Sequence, residues 1–139
     1  MKFREEKDFL GKVLIPQGAY WGIHSYRAKE NFDISSYKIS SCFIKAFGYV
    51  KLACALVNKD FGRWEPEKAG AIIEACEVLV EGKFHDQIIV DSIQGGAGTS
   101  LNKNVNEVIA NRALEILEKN KGEYQYIDPI EDVNLNQST

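Results

Sequence analysis

Over residues 41–59 the apolar side chains Ile44, Phe47, Val50, Cys54 and Val57, continued by Phe61, recur at steps of three and four, the period of one helix face. This spacing predicts a long helix with that stripe toward the core. A second helix is predicted from Pro66, where a missing amide is harmless in the first turn. It runs through Ala69, Ile72, Ile73, Cys76, Leu79 and Val80 and stops at Gly82. Joined by Phe61-Gly62-Arg63-Trp64, the two read as an antiparallel pair. Helical spacing returns with Val105, Val108, Ile109, Ala113, Ile116 and Leu117, and Lys119, Lys121 and Gly122 favour an end there. The other segments are shorter. Residues 7–15 place Gly11 between two short apolar runs before Pro16, which predicts a small β-hairpin. Residues 20–32, with Trp21, His24, Tyr26 and Arg27, predict a short helix. Ile88-Ile89-Val90 is a brief β-prone run, and residues 123–139 form a tail. The expected fold is mainly α with a short β-hairpin, in one domain over residues 1–139.

Composition and charge narrow the function. Apolar residues are 45% of the chain and charged residues 27%, an ordinary globular balance. Seventeen Lys and Arg against twenty Asp and Glu give a net charge of −3, with no basic excess to hold a phosphate backbone. A nucleic-acid partner is not expected. Cys42, Cys54 and Cys76 stand far apart, without CxxC or Cys/His spacing, and read as buried thiols in a reducing compartment. His24 and His85 lie in different segments, so no metal spacing exists. The charged start, Met1-Lys2-Phe3-Arg4-Glu5-Glu6-Lys7, is not a secretory signal, and no apolar run approaches the ~20 residues of a membrane span. A soluble cytoplasmic protein with no membrane partner is expected.

The glycine-rich run Gln94-Gly95-Gly96-Ala97-Gly98-Thr99-Ser100 is the densest candidate for chemistry. Its glycines allow positive φ and close backbone approach, and Thr99 and Ser100 add hydroxyls just before a helix start, which suits an anion. A tight turn is the alternative. The run lacks the lysine of a P-loop and the GxGxxG spacing of a dinucleotide site, so carboxylate fits better than phosphate. Asn102, Asn104 and Asn106 are either N-caps or uncharged amide donors. Asn134, Asn136, Gln137, Ser138 and Thr139 are either more such donors or a solvated loop. His85 beside Asp86 reads as a structural hydrogen bond ahead of an oriented base.

The run from Gln94 through Asn102-Lys103-Asn104-Val105-Asn106-Glu107-Val108-Ile109-Ala110-Asn111-Arg112-Ala113 resembles the first signature of the aspartase/fumarase superfamily. Asp8-Phe9-Leu10-Gly11, Ile15-Pro16, Ala19-Tyr20-Trp21-Gly22-Ile23-His24, Gly82-Lys83-Phe84-His85-Asp86-Gln87 and Gln137-Ser138-Thr139 extend the resemblance over residues 7–139. Gly95 to Ser100 resembles the aspartase form of the glycine loop more than its class II fumarase form. The resemblance implies the amino-terminal domain of that fold. It also implies reversible anti-elimination of ammonia from L-aspartate to give fumarate, without an organic cofactor. Thr99, Ser138 and Thr139 would bind a substrate carboxylate, with Asn102 in support. The family's general base is a serine in a Ser-Ser-x-Met-Pro loop that these residues do not contain, so no catalytic residue is assigned. Active sites in the family are shared among subunits of a homotetramer, and the central helical and carboxy-terminal domains are missing, so a chain of this extent is expected to be inert alone. Fumarate hydratase and a non-catalytic structural or regulatory homologue are the alternatives. Lys103 and Asn136 depart from the usual Met and Ser or Cys. The two acids and Ile130 of Asp128-Pro129-Ile130-Glu131 speak against the secondary dicarboxylate site that fumarases have there.

Overall fold

The computed structural model describes residues 2–138, and its first strand begins earlier than expected. Strand β1 (Phe3–Asp8) pairs antiparallel with β2 (Gly11–Pro16), Phe3 opposite Pro16 and Asp8 opposite Gly11. The hairpin exists but is shifted: Phe9 and Leu10, read as strand, form an exposed turn. The inward positions of β1 are charged, which hid the strand from an apolar pattern. Arg4 and Glu6 are both buried, with Arg4 Nε donating to Glu6 Oε1 at 2.8 Å. The rest of the guanidinium donates to the carbonyls of Pro16, Ala19 and Trp21. A buried guanidinium supplied with this many acceptors is satisfied in place.

Helix α1 (Ile23–Asn31) lies inside the predicted 20–32 span, yet has no acidic residue in its first turn and a glycine, Gly22, at its N-cap. A helix start leaves its first amides without partners. Here distant carboxylates take them. The N–H groups of Gly22, His24 and Ser25 donate to Glu107 at 2.8, 2.8 and 3.1 Å, and that of Ile23 donates to Glu6 Oε2 at 2.8 Å. The Ser25 hydroxyl also donates to Glu107, which is fully buried on α4 (Thr99–Ile116). Burial raises the Glu6 pKa, with Arg4 pulling the other way. Only a residue without Cβ leaves room for both acids: a Cβ at Gly22 would lie 2.5 Å from the Tyr124 hydroxyl and 2.7 Å from Glu6 Oε2. Gly22→Ala is therefore expected to destabilise the protein by about 2 kcal/mol, seen as a lower urea midpoint at unchanged slope.

Helices α2 (Ser41–Asp60) and α3 (Pro66–Val80) form the predicted pair, and α3 packs in turn on α4. The period of α2 was legible, but its inward face is rotated from the expected one. Buried on α2 are Ile44, Gly48, Lys51, Ala55 and Asn58, while Val50, Val57 and Phe61 stay more than half exposed. Gly48 sets this face, because a Cβ there would come within 3.0 Å of Val80 Cγ2, and small residues let helices close. The core is Ala71, Ile72, Ala75, Cys76 and Leu79 of α3 against Leu101, Val105, Val108 and Ile109 of α4. Among the described residues α2 is the one helix long and apolar enough to cross a membrane, contrary to the expectation that no such run exists. Its inner side carries Lys51 and Asn58, hydrogen-bonded within the chain, as suits a helix packed in protein.

Two further expectations change. Cys76 is buried and Cys54 half-buried, but Cys42 is exposed, so the thiols are not all core residues. Residues 88–90 form no strand. Asn104 Oδ1 accepts from the N–H groups of Ile89 at 2.8 Å and Val90 at 3.4 Å, a side chain doing what a neighbouring strand would do.

Candidate active site

The glycine loop is held at both ends by one side chain. Gln94 Nε2 donates to the Asp91 carbonyl at 2.9 Å, and Gln94 Oε1 accepts from Leu101 N–H at 2.8 Å. Between these points Gly96 and Gly98 take φ of 70° and 81°, a region open chiefly to glycine, and Gly98 becomes the N-cap of α4. Gly95 rests against the Phe32 ring, where a Cβ would lie 3.0 Å from Cζ. Asp91, lowered in pKa by the Ile93 N–H and by Ser35, pins the preceding strand of chain to residue 35. The loop therefore delivers a fixed helix entrance.

Thr99 is the first residue of α4 and is half-buried, not sealed in the core. Among the described residues the N–H groups of Thr99 and Ser100 have no acceptor, since the first helical acceptor bond is made by Asn102 N–H to the Gly98 carbonyl. Two backbone donors and a hydroxyl thus meet at the positive end of a helix dipole. Asn102 and Asn106, three and seven residues on, share the face of Thr99. They are not N-caps. Both are buried and both Nδ2 groups donate to Asn134 Oδ1, at 2.9 and 3.1 Å. Asn104 faces the other way, toward residues 87–90.

Asn134 draws the tail onto the glycine-loop helix. Its Oδ1 also accepts from Lys51 Nζ at 3.1 Å, and its Nδ2 donates to the Gln137 carbonyl at 3.2 Å and, at the limit of 3.5 Å, to that of Ser138. The tail is docked on α2 as well: Asn58 donates to the Leu135 carbonyl at 3.1 Å, and Asn136 Nδ2 donates to Asn58 Oδ1 at 2.8 Å. Asn136 has φ of 60°, a conformation that asparagine accepts more readily than most residues. Ser138 emerges exposed from the clamp, and Thr139 lies outside the described residues. The polar run is therefore a folded, hydrogen-bonded turn, not a solvated string. Of the carried-over residues the structure brings the segments of Thr99, Asn102 and Ser138 together through Asn134.

Other candidates are occupied. His85 Nε2 donates to the Leu79 carbonyl at 2.9 Å, and Asp86 takes the Gln87 amide, so the two do not form a base and its orienter. Asp128 accepts from the N–H groups of Ile130 and Glu131, closing its own turn, and Asp132 pairs with Lys68 at 2.7 Å. Sequence reasoning missed Lys51, Glu6 and Glu107. The signal available for Lys51 was its place in a strict three-and-four alternation with Ile44, Gly48, Ala55 and Asn58.

A lyase family model matches residues 11–139. The chain belongs to the lyase family. It is 52% identical over 136 residues to an aspartate ammonia-lyase of a Bacillus species, covering 98% of this chain and 29% of that protein. The aspartate ammonia-lyase of Helicobacter pylori strain J99 is 52% identical over 138 residues, covering 98% of this chain and 30% of its own. The lyase chain thus spans about 30% of the length of the curated relatives it matches. Among solved structures, a fumarate lyase:delta crystallin from Brucella melitensis superposes with a TM-score of 0.96 at 45% identity, covering 99% of this chain and 33% of that one. A class II fumarase from Schistosoma mansoni gives 0.91 at 29% identity, covering 99% and 29%. The mainly helical fold with its hairpin, and the resemblance to the aspartase/fumarase superfamily, are both borne out by these likenesses.

Proposed function

We propose that the lyase chain is the amino-terminal domain of an aspartate ammonia-lyase, and that it supplies carboxylate-binding groups to the elimination of ammonia from L-aspartate. In that reaction a base removes a proton from the carbon next to the side-chain carboxylate. Its electron pair moves into that carboxylate, then forms the carbon–carbon double bond as the carbon–nitrogen bond breaks. Fumarate and ammonia result. Negative charge gathers on the carboxylate in the transition state, so neutral donors aimed at it lower the barrier more than they tighten the ground state. Thr99, with its own and the Ser100 N–H, is assigned to that carboxylate, with Ser138 and Thr139 from the tail and Asn102 holding the two segments together. The observation that carries this reading is the entrance of α4, where, among the described residues, backbone N–H groups and a hydroxyl stand without partners beside the docked tail. The identity near 50% to proteins named aspartate ammonia-lyase favours this substrate over malate, since the fumarase likeness is 29%.

A homotetramer in the cytoplasm, as the superfamily resemblance implies, belongs to the same proposal. The test is fumarate formation by the whole protein, followed by ultraviolet absorbance, with L-aspartate and L-malate in parallel. Fumarate from aspartate and not from malate is the expected result. The reverse would make the protein a hydratase, and silence with both would leave a non-catalytic homologue.

A further inference from the structure

We propose that Lys51 is a positioning residue for the carboxylate site: its buried ammonium grips the tail through Asn134 and Gln137 and so presents Ser138 beside the entrance of α4. This rests on the reading that Ser138 binds a substrate carboxylate. Lys51 is 3% exposed in the middle of the inner face of α2, and among the described residues no carboxylate pairs with it. Its acceptors are two neutral carbonyls, Asn134 Oδ1 at 3.1 Å and Gln137 Oε1 at 2.8 Å. A lone buried ammonium is a poor stabiliser, and an apolar side chain of similar volume usually serves the core as well or better. The charge is thus kept at the expense of the core, as is typical of groups held for function.

Where the ammonium points identifies that function. Both acceptors belong to the tail, 83 and 86 residues further along the chain. Asn134 Oδ1 simultaneously receives Asn102 and Asn106 from α4, so one oxygen joins the helix that begins at Thr99 to the turn that ends at Ser138. The charged or titratable groups bearing on Lys51 are Cys54 from α2 itself and Cys76 from α3, while α4 and the tail face it with neutral amides. Burial lowers Lys51 to about 8 and pushes Cys76 up to about 12, so the thiol stays neutral while the amine discharges. Neutral Lys51 keeps two N–H donors for its two acceptors, but bonds without the charge are about half as strong. The grip therefore slackens as pH rises through about 8. Lys51 does not touch the substrate; slackening withdraws Ser138 from the carboxylate on which charge gathers in the transition state, and so lowers kcat and kcat/KM together while KM changes little.

The experiment compares the whole protein with Lys51→Met and Lys51→Arg, measuring fumarate release from L-aspartate between pH 6 and 9.5 and hydrogen exchange of the tail. At pH 7, Lys51→Met is expected to lower kcat by about fivefold with KM within about twofold. Exchange at residues 133–138 should quicken and that of the hairpin stay unchanged. Relative to wild type, Lys51→Arg, which stays charged throughout, should lose the fall in kcat above pH 8. Equal tail exchange in wild type and Lys51→Met, or the same pH profile of kcat in wild type and Lys51→Arg, would overturn the proposal. If Lys51→Met fails to fold, the Lys51→Arg profile decides. If wild type releases no fumarate, the substrate reading falls, while tail exchange through pH 8 in wild type against Lys51→Arg still decides whether Lys51 grips the tail.

Discussion

Glu107→Ala is expected to destabilise the protein by about 4 kcal/mol, the size typical of breaking a buried, hydrogen-bonded charge. The truncation strips the acceptor from three backbone amides and one hydroxyl at a position with no solvent access. Each orphaned buried donor costs about 1–3 kcal/mol, and the losses do not simply add because they share one helix end. It also removes the negative charge nearest the α1 dipole. One effect opposes these: Glu107 raises the pKa of Glu6, and its removal relieves that repulsion. Glu107→Gln should fall between, since it keeps one oxygen but turns an NH2 toward amide donors. Urea unfolding measures both variants. A loss below about 1 kcal/mol for Glu107→Ala would remove Glu107 from its role as the cap of α1.

Thr99→Ala in the whole protein is expected to lower kcat/KM for L-aspartate by about tenfold or more, without altering the free energy of unfolding in urea by as much as about 1 kcal/mol. The hydroxyl has no intramolecular partner among the described residues, so folding does not depend on it. Losing one donor to a developing oxyanion commonly costs about 3 kcal/mol in barrier. The backbone N–H groups of Thr99 and Ser100 survive the change and share the load, which holds the loss toward the smaller end. Thr99→Ser should keep most of the activity. An unchanged kcat/KM in Thr99→Ala would take the residue out of the site, and a large loss of stability would mean that its methyl or hydroxyl is structural.

Periodicity was enough to find α2, α3 and α4, because each buries a regular stripe and has clear breakers around it. It did not find which face of α2 turns inward. Val50, Val57 and Phe61 are more hydrophobic than Gly48, Lys51 and Asn58, yet the smaller and polar set is the buried one. Close approach to α3 and hydrogen bonds to a tail 80 residues away decided the matter, and neither leaves a local trace. The same limit hid β1, whose inward residues are an arginine and a glutamate satisfied by partners from three other segments. Thr99 stood out from the glycine run and its own hydroxyl, and Asn102 and Ser138 as uncharged polar groups, but their joint assignment to a substrate carboxylate came only through resemblance to a known signature. Spacing alone left the three asparagines undecided between caps and amide donors, because it carries no information about Asn134, the residue that gathers two of them.

The start of α1 is completed by residues 6 and 107, one from each side of it in the chain. On a ribosome, the segment 23–31 is made long before residue 107 leaves the exit tunnel, so this helix cannot close its first turn while it emerges. Residues 22–31 must wait for their own sequel, and premature arrest anywhere before α4 leaves the first turn of α1 without the carboxylate that closes it.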